Sequence, residues 1–153
     1  MFTIQAIMST NLITLAPSAT LAEARTLMHE HRIHHVPVVK DEKLVGLETL
    51  TNVLAATDSF RRDPQNRIHA NEISIADAMD EDVATVDVNA SQRHAALFIE
   101  RHKIGCLPVL DDEKLVGIIT DTDFVAVAIN LLEQLEETEP PLDDFDDVDV
   151  GVA

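Results

Sequence analysis

The chain has no tryptophan and no tyrosine, and aromatic side chains make up 3% of its 153 residues. Its core must therefore be aliphatic, and a flat ligand would be held between Ile, Val and Leu side chains rather than stacked on a ring. A single cysteine, Cys106, excludes an internal disulfide. That suits a reducing compartment, and a cytoplasmic protein is expected. No apolar run approaches the ~18 residues of a membrane span. Met1 to Met8 carry no basic residue and no signal-peptide core, so no membrane association is expected. Basic residues are few, 11 Lys and Arg against 28 Asp and Glu, for a net charge of −17. This balance argues against nucleic acid as a partner, because such binding rests on neutralising phosphates. A Gly-rich phosphate loop and a nucleophile elbow are both missing, no catalytic group assembles, and no enzyme is expected.

Apolar residues make up 46% of the chain, enough for one ordinary domain or two small, mutually dependent halves. The acidity is uneven: Glu133, Glu136, Glu137, Glu139, Asp143, Asp144, Asp146, Asp147 and Asp149 follow one another without a Lys or Arg among them. Such a segment repels itself and buries little, so residues 136–153 are expected to form an acidic flexible tail. Residues 58–71 hold Arg61, Arg62, Asp63-Pro64 and Arg67 with few apolar residues, and are expected to be a surface linker.

The main organising feature is an internal repeat at an offset of 71 residues. Met8 falls on Met79, Thr14 on Thr85, Ala24 on Ala95, His31 on His102, Ile33 on Ile104 and Pro37-Val38 on Pro108-Val109. The run Asp41 to Gly46 matches Asp112 to Gly117 residue for residue, and Thr49 and Thr51 fall on Thr120 and Thr122. Two copies of one supersecondary unit are present, over 1–57 and 72–135, and neither is large enough to bury its own faces well.

Each copy opens on a short amphipathic turn (Ile4 to Met8; Ile75 to Met79) and a brief strand (Leu12 to Leu15; Val83 to Val86). A helix follows. In the first copy Thr20 and Glu23 have capping-box spacing, with Leu21, Ala24, Leu27 and Met28 on the apolar face; in the second it starts at Ser91. A hairpin comes next, His35 to Val39 with Leu44 to Thr49, and Cys106 to Leu110 with Leu115 to Thr120. A second helix closes each unit. The crossover between the brief strand and the hairpin should be parallel and right-handed. The fold class is mixed α+β, two β-α-β-β-α units.

Thr120 and Asp123 stand at the mouth of the second closing helix, where N–H groups are free and the local field is positive. Spaced three apart, they can serve as a helix cap or grip a ligand that carries neighbouring hydroxyls. His31, His34 and His35 lie within five residues, but they span a helix end and a strand and have no cysteine beside them, so no metal site is expected. Cys106, in an apolar strand, is expected to be a buried small hydrophobe.

The stretches Ile33-His34-His35-Val36-Pro37-Val38-Val39 and Leu44-Val45-Gly46, with their counterparts Ile104 to Leu110 and Leu115 to Asp123, resemble the CBS-domain family. The resemblance is to a tandem pair, a Bateman module, and covers residues 1–135. It implies two units packed about a pseudo-two-fold axis with two clefts between them. It also implies an adenosine-containing ligand, AMP, ADP, ATP or an S-adenosylmethionine-like molecule, acting as a regulator with no cofactor required. Carried over by motif, Thr120 and Asp123 match the ribose-holding pair, and a carboxylate can accept both hydroxyls of a cis-diol. Gly117 lets the backbone approach closely. Ile104, Gly105, Cys106, Leu107 and Pro108 would form the adenine wall, with Gly105 removing a side chain where a flat ring approaches. In the first copy Thr49 is kept, but Asn52 replaces the acid and His34 and His35 replace Gly105 and Cys106. One good site and one altered site are expected. Arg32, His34, His35 and Lys103 are phosphate candidates. The expected role is a non-catalytic sensor acting on an unknown protein partner in trans. A homodimer is expected through Leu50 to Ala56 and Phe124 to Leu132. The alternative is a dimerisation or protein-interaction module without a ligand.

Overall fold

The computed structural model describes residues 2–61 and 72–137; Arg62 and Arg67 of the expected linker and the acidic tail from residue 138 lie outside the described residues. A short 3-10 turn at Ile4–Ala6 precedes α1 (Leu21–His31), β1 (His35–Lys40), β2 (Lys43–Thr49) and α2 (Leu50–Arg61). The same order returns as α3 (Ile75–Ala78), β3 (Val86–Asp87), α4 (Gln92–His102), β4 (Cys106–Asp111), β5 (Lys114–Thr120) and α5 (Asp121–Glu136). The chain divides into two compact units after Asp121. The second holds nearly all of α5, a helix without a Lys or Arg that exposes Val125, Ile129, Leu131, Leu132 and Leu135.

Local chemistry accounts for most element ends. The Thr20 hydroxyl accepts from the Glu23 N–H at 3.2 Å while the Thr20 N–H donates to the Glu23 carboxylate at 2.8 Å, the expected capping box. Ser91 caps α4 by accepting from the His94 N–H at 3.1 Å. Both helices stop on a left-handed residue, Arg32 at φ 53° and Lys103 at φ 52°. Both hairpins turn on two left-handed residues, Asp41–Glu42 and Asp112–Glu113. That is the type I′ geometry whose twist matches the flanking strands.

The five strands form one sheet in the order β1-β2-β5-β4-β3. Within each hairpin the register is the same, His35 opposite Thr49 and Cys106 opposite Thr120, with an irregularity at Val38/Val39 repeated at Val109/Leu110. The hairpins meet at a single pair, Lys43 with Lys114. β3 pairs with β4 in parallel, as expected. Its counterpart in the first copy shrinks to one parallel bridge, Leu15 with Val38, where a strand over Leu12 to Leu15 was expected.

The opening turns cross between the copies. The first crosses to the second repeat: the Ile4 N–H donates to the Ala90 carbonyl at 3.1 Å and Ser9 bridges Ile118. The second crosses the other way: the Ile75 N–H donates to the Ala19 carbonyl at 2.7 Å and Asp80 bridges Leu47. Every one of these pairs maps onto its twin through the 71-residue offset. Each crossing segment passes over a glycine. A Cβ at Gly117 would lie 2.6 Å from Met8 Sδ and 3.2 Å from the Ser9 carbonyl oxygen, and one at Gly46 would collide with Met79 Sδ. Gly117 thus admits the other repeat's chain rather than a ligand.

Leu21, Ala24, Met28, Val36, Val38, Val53 and Ile75 make the core of the first repeat, so the crossing helix α3 supplies one of its members. Burying each such side chain stabilises by roughly 1.5–3 kcal/mol, so neither half keeps its full core without the other. One residue breaks the pattern. Glu48 stands opposite Val36 on the core face, is 0% exposed, and neither carboxyl oxygen has a hydrogen-bond partner among the described residues. The second repeat has Ile119 at that place, also fully buried.

Candidate functional site: a cleft at the junction of the repeats

The start of β1, the end of β2 and the start of β4 border a cleft of about 180 Å³, lined by His35, Leu47, Thr49, Asp80, Asp82, Val83, Ala84, Ile104, Gly105 and Cys106. It exists because alternate residues of a strand share a face. His35, Leu47 and Thr49 project to the side opposite Val36 and Glu48, away from the core. The crossing of the second opening turn brings Asp80 against Leu47, and Asp82, Val83 and Ala84 follow it along the rim.

Ile104, Gly105 and Cys106 line this cleft together with Thr49. The motif-based expectation joined that wall to Thr120 and Asp123 of the same copy; Thr120 stands opposite Cys106 and the Asp121 N–H donates to the Gly105 carbonyl at 3.1 Å, and in the cleft the wall also meets Thr49 of the first copy. The cause is the reciprocal packing, which sets the start of one repeat's hairpin against the end of the other's. Leu107 and Pro108 are buried, and Leu107 stands opposite the core residue Ile119. Thr120 ends β5 opposite Cys106, and Asp123 lies in the first turn of α5.

Thr49 is a cap as well as a cleft residue. Its hydroxyl accepts from the Asn52 N–H at 3.1 Å, which leaves the hydroxyl proton available to donate. The Nδ2 amide of Asn52 is buried and has no partner among the described residues, and Asn52 is not among the residues that line the cleft.

Gly105 makes room for a ring, and in the structure the ring is that of His35. A Cβ at Gly105 would lie 3.1 Å from His35 Cε1 and 3.2 Å from Nε2, with Asp121 Oδ2 at 3.8 Å. Burial lowers the His35 pKa from 6.5, opposed by Asp121 and helped by His34, so the imidazole is neutral at pH 7. The other phosphate candidates lie elsewhere. Arg32 and His34 line a separate groove of about 770 Å³ with Arg25, His29, Leu50 and Leu54, and Lys103 pairs with Glu100 at 3.9 Å on the surface. Among the described residues no group of three or more His, Cys, Asp or Glu is placed to hold a metal ion. No described helix is long and apolar enough to cross a membrane.

Sequence reasoning missed Glu48. Burial, with Asp80 adding to it, pushes its carboxyl up to about 7. The signal was available, since the repeat offset aligns Glu48 with Ile119. Asp80 and Asp82 were missed too, because the expected cleft did not include the segment that crosses over.

The repeated units are those of a known domain family. Residues 4–58 and 75–130 each match the CBS domain model, and the chain belongs to that family. The structure of AcuB from Vibrio cholerae is 40% identical, with a TM-score of 0.77, over 92% of this chain and 99% of that one. CBSX2 in complex with AMP is 26% identical at TM-score 0.74, over 86% of this chain and 99% of its own. The CBS domain pair of MJ0100, in complex with 5′-methylthioadenosine and S-adenosyl-L-methionine, is 27% identical at TM-score 0.72, over 84% and 97%.

Proposed function

We propose that this CBS pair is a non-catalytic regulatory module that binds an adenosine-containing small molecule in the cleft at the junction of its repeats. The observation that carries this reading is the meeting of an apolar wall with a hydroxyl at a strand-to-helix junction. Ile104, Gly105 and Cys106 offer a flat apolar surface for a base, and Thr49 faces them with a hydroxyl for the sugar. Asn52, in the first turn of α2, is proposed as a further donor to the sugar once its buried amide is uncovered. The base replaces the His35 ring against Gly105. By the same chemistry, Thr120 and Asp123 are proposed as the ribose-holding pair of the second repeat. AMP in CBSX2 and S-adenosyl-L-methionine in MJ0100 support the ligand class. Binding that favours one arrangement of the two repeats would alter the surface offered to a protein partner in the cytoplasm.

Thermal denaturation with an adenosine series tests this. A ligand at ~100 times its Kd should stabilise the fold by about 2.7 kcal/mol. Thr49→Val should cut that stabilisation, and a flat series for every adenosine compound would refute the reading. A second reading, a dimerisation module without a ligand, is favoured by the five exposed apolar residues of α5. Sedimentation of Leu132→Glu tests it: a dimer that falls apart supports the reading, and a chain already monomeric removes it.

A further inference from the structure

The walls of the cleft carry a charge pattern that narrows the ligand class, an inference that rests on the adenosine reading. Asp80 and Asp82 both line the cleft, and Asp121 Oδ2 lies beside Gly105 at its edge. No Lys or Arg is among the lining residues, and the one imidazole there, His35, is neutral at pH 7. The basic side chains that could have served a phosphate, Arg32 and Lys103, stand in another groove or on the surface. The two aspartates are also not part of the repeated pattern. The 71-residue offset places Ser9 opposite Asp80 and Asn11 opposite Asp82. Ser9 makes the same bridge to Ile118 that Asp80 makes to Leu47, so the backbone role of the position is met without a carboxylate. The acids at 80 and 82 therefore add charge to this cleft rather than shape.

We propose that this cleft takes phosphate-free adenosine derivatives and discriminates against nucleotides, favouring a cationic sulfonium nucleoside over a neutral one. Asp80 and Asp82 are exposed, so a phosphate entering here meets their negative charge partly screened by water and finds no Lys or Arg among the lining residues to pair with. A sulfonium next to the same carboxylates gains attraction without needing a directed hydrogen bond, and a neutral thioether nucleoside falls between the two. Gly105 and the apolar wall select the base, and the carboxylates select what the 5′ carbon carries.

Calorimetric titration of the full chain at pH 7.5 with S-adenosylmethionine, 5′-methylthioadenosine, adenosine, AMP and ATP tests the proposal. Only binding lost in Gly105→Val, with unchanged far-UV circular dichroism, is assigned to this cleft; Ala84→Leu takes its place if that variant does not fold. The expected order is the sulfonium tightest, the two neutral nucleosides next and AMP at least ~10-fold weaker than adenosine, with ATP weaker again. Asp80→Asn combined with Asp82→Asn should compress that range by at least ~10-fold, chiefly by improving AMP. AMP or ATP binding as tightly as adenosine would overturn the charge selection, and so would an unchanged order in the double variant, while the adenosine reading stood. Absence of any binding component sensitive to Gly105→Val would overturn the adenosine reading of the cleft as well.

Discussion

The two repeats share one backbone plan and differ in what they place at matched positions. The core face of β2 holds Glu48 where β5 holds Ile119, both fully buried. The wall of the cleft has Gly105 and Cys106 where the first repeat has His34 and His35. The crossing segments carry Asp80 and Asp82 in one case, Ser9 and Asn11 in the other. Backbone bridges and bulges survive these exchanges in register. Duplication has thus kept the hydrogen-bond frame fixed and let polarity drift, which yields two related surfaces with unlike chemistry.

Exchanging residues between matched positions should break the comparison most sharply in the core. Ile119→Glu puts an unpaired acid into the second repeat and should cost about 3 kcal/mol or more at pH 8 by urea denaturation. The reverse exchange, Glu48→Ile, should stabilise. The wild-type carboxyl is raised from 4.5 to about 7, so the folded state holds a proton that the unfolded chain has released. The wild type is therefore undisturbed by this group below pH 4.5 and loses stability as pH rises from there through 7. The gain from Glu48→Ile should approach ~3 kcal/mol at pH 8 and shrink towards acid pH. A gain that does not vary with pH would show that the carboxyl titrates in the folded state as it does in the unfolded chain.

The two glycines under the crossing segments give a finer comparison. Gly46→Ala and Gly117→Ala should each destabilise by ~1–3 kcal/mol through overpacking. Gly46→Ala should cost more, because its Cβ meets Met79 and the Asp80 carbonyl oxygen at 3.0 Å, against 3.2 Å from the Ser9 carbonyl at Gly117. Equal costs would mean that Met79 yields as easily as Met8. The smallest effect belongs to His35→Cys, which copies the second repeat. His35 has a lowered pKa in the folded state, so its contribution is complete above 6.5 and is lost as pH falls below it. The acid side of the wild-type stability curve should flatten in His35→Cys, and an unchanged curve would show that the imidazole is not desolvated.

Much of the fold was legible because the offset of 71 residues reports on local chemistry twice. The capping box at Thr20 and Glu23, both hairpins and their registers follow from turn residues and alternation within a few positions. The crossing of the opening turns was not legible. It depends on single bridges between residues 33 to 109 positions apart, such as those of Leu47 with Asp80 and of Ser9 with Ile118, which leave no periodic trace in the chain. That one omission hid the first-copy residues that meet the wall at Ile104 to Cys106. It also hid Asp80 and Asp82, whose side chains matter only once the segment has crossed. Glu48 was legible in principle, since a strand whose twin reads Ile at that place predicts burial.

The reciprocal crossing also sets how the molecule can be cut and rejoined. Residues 2–9 complete the second repeat and residues 73–80 complete the first, so a nick between residues 61 and 72 leaves each fragment holding a piece that the other requires. Two fragments made separately should stay incompletely folded and regain structure when mixed in equal amounts, each acting as the other's missing part.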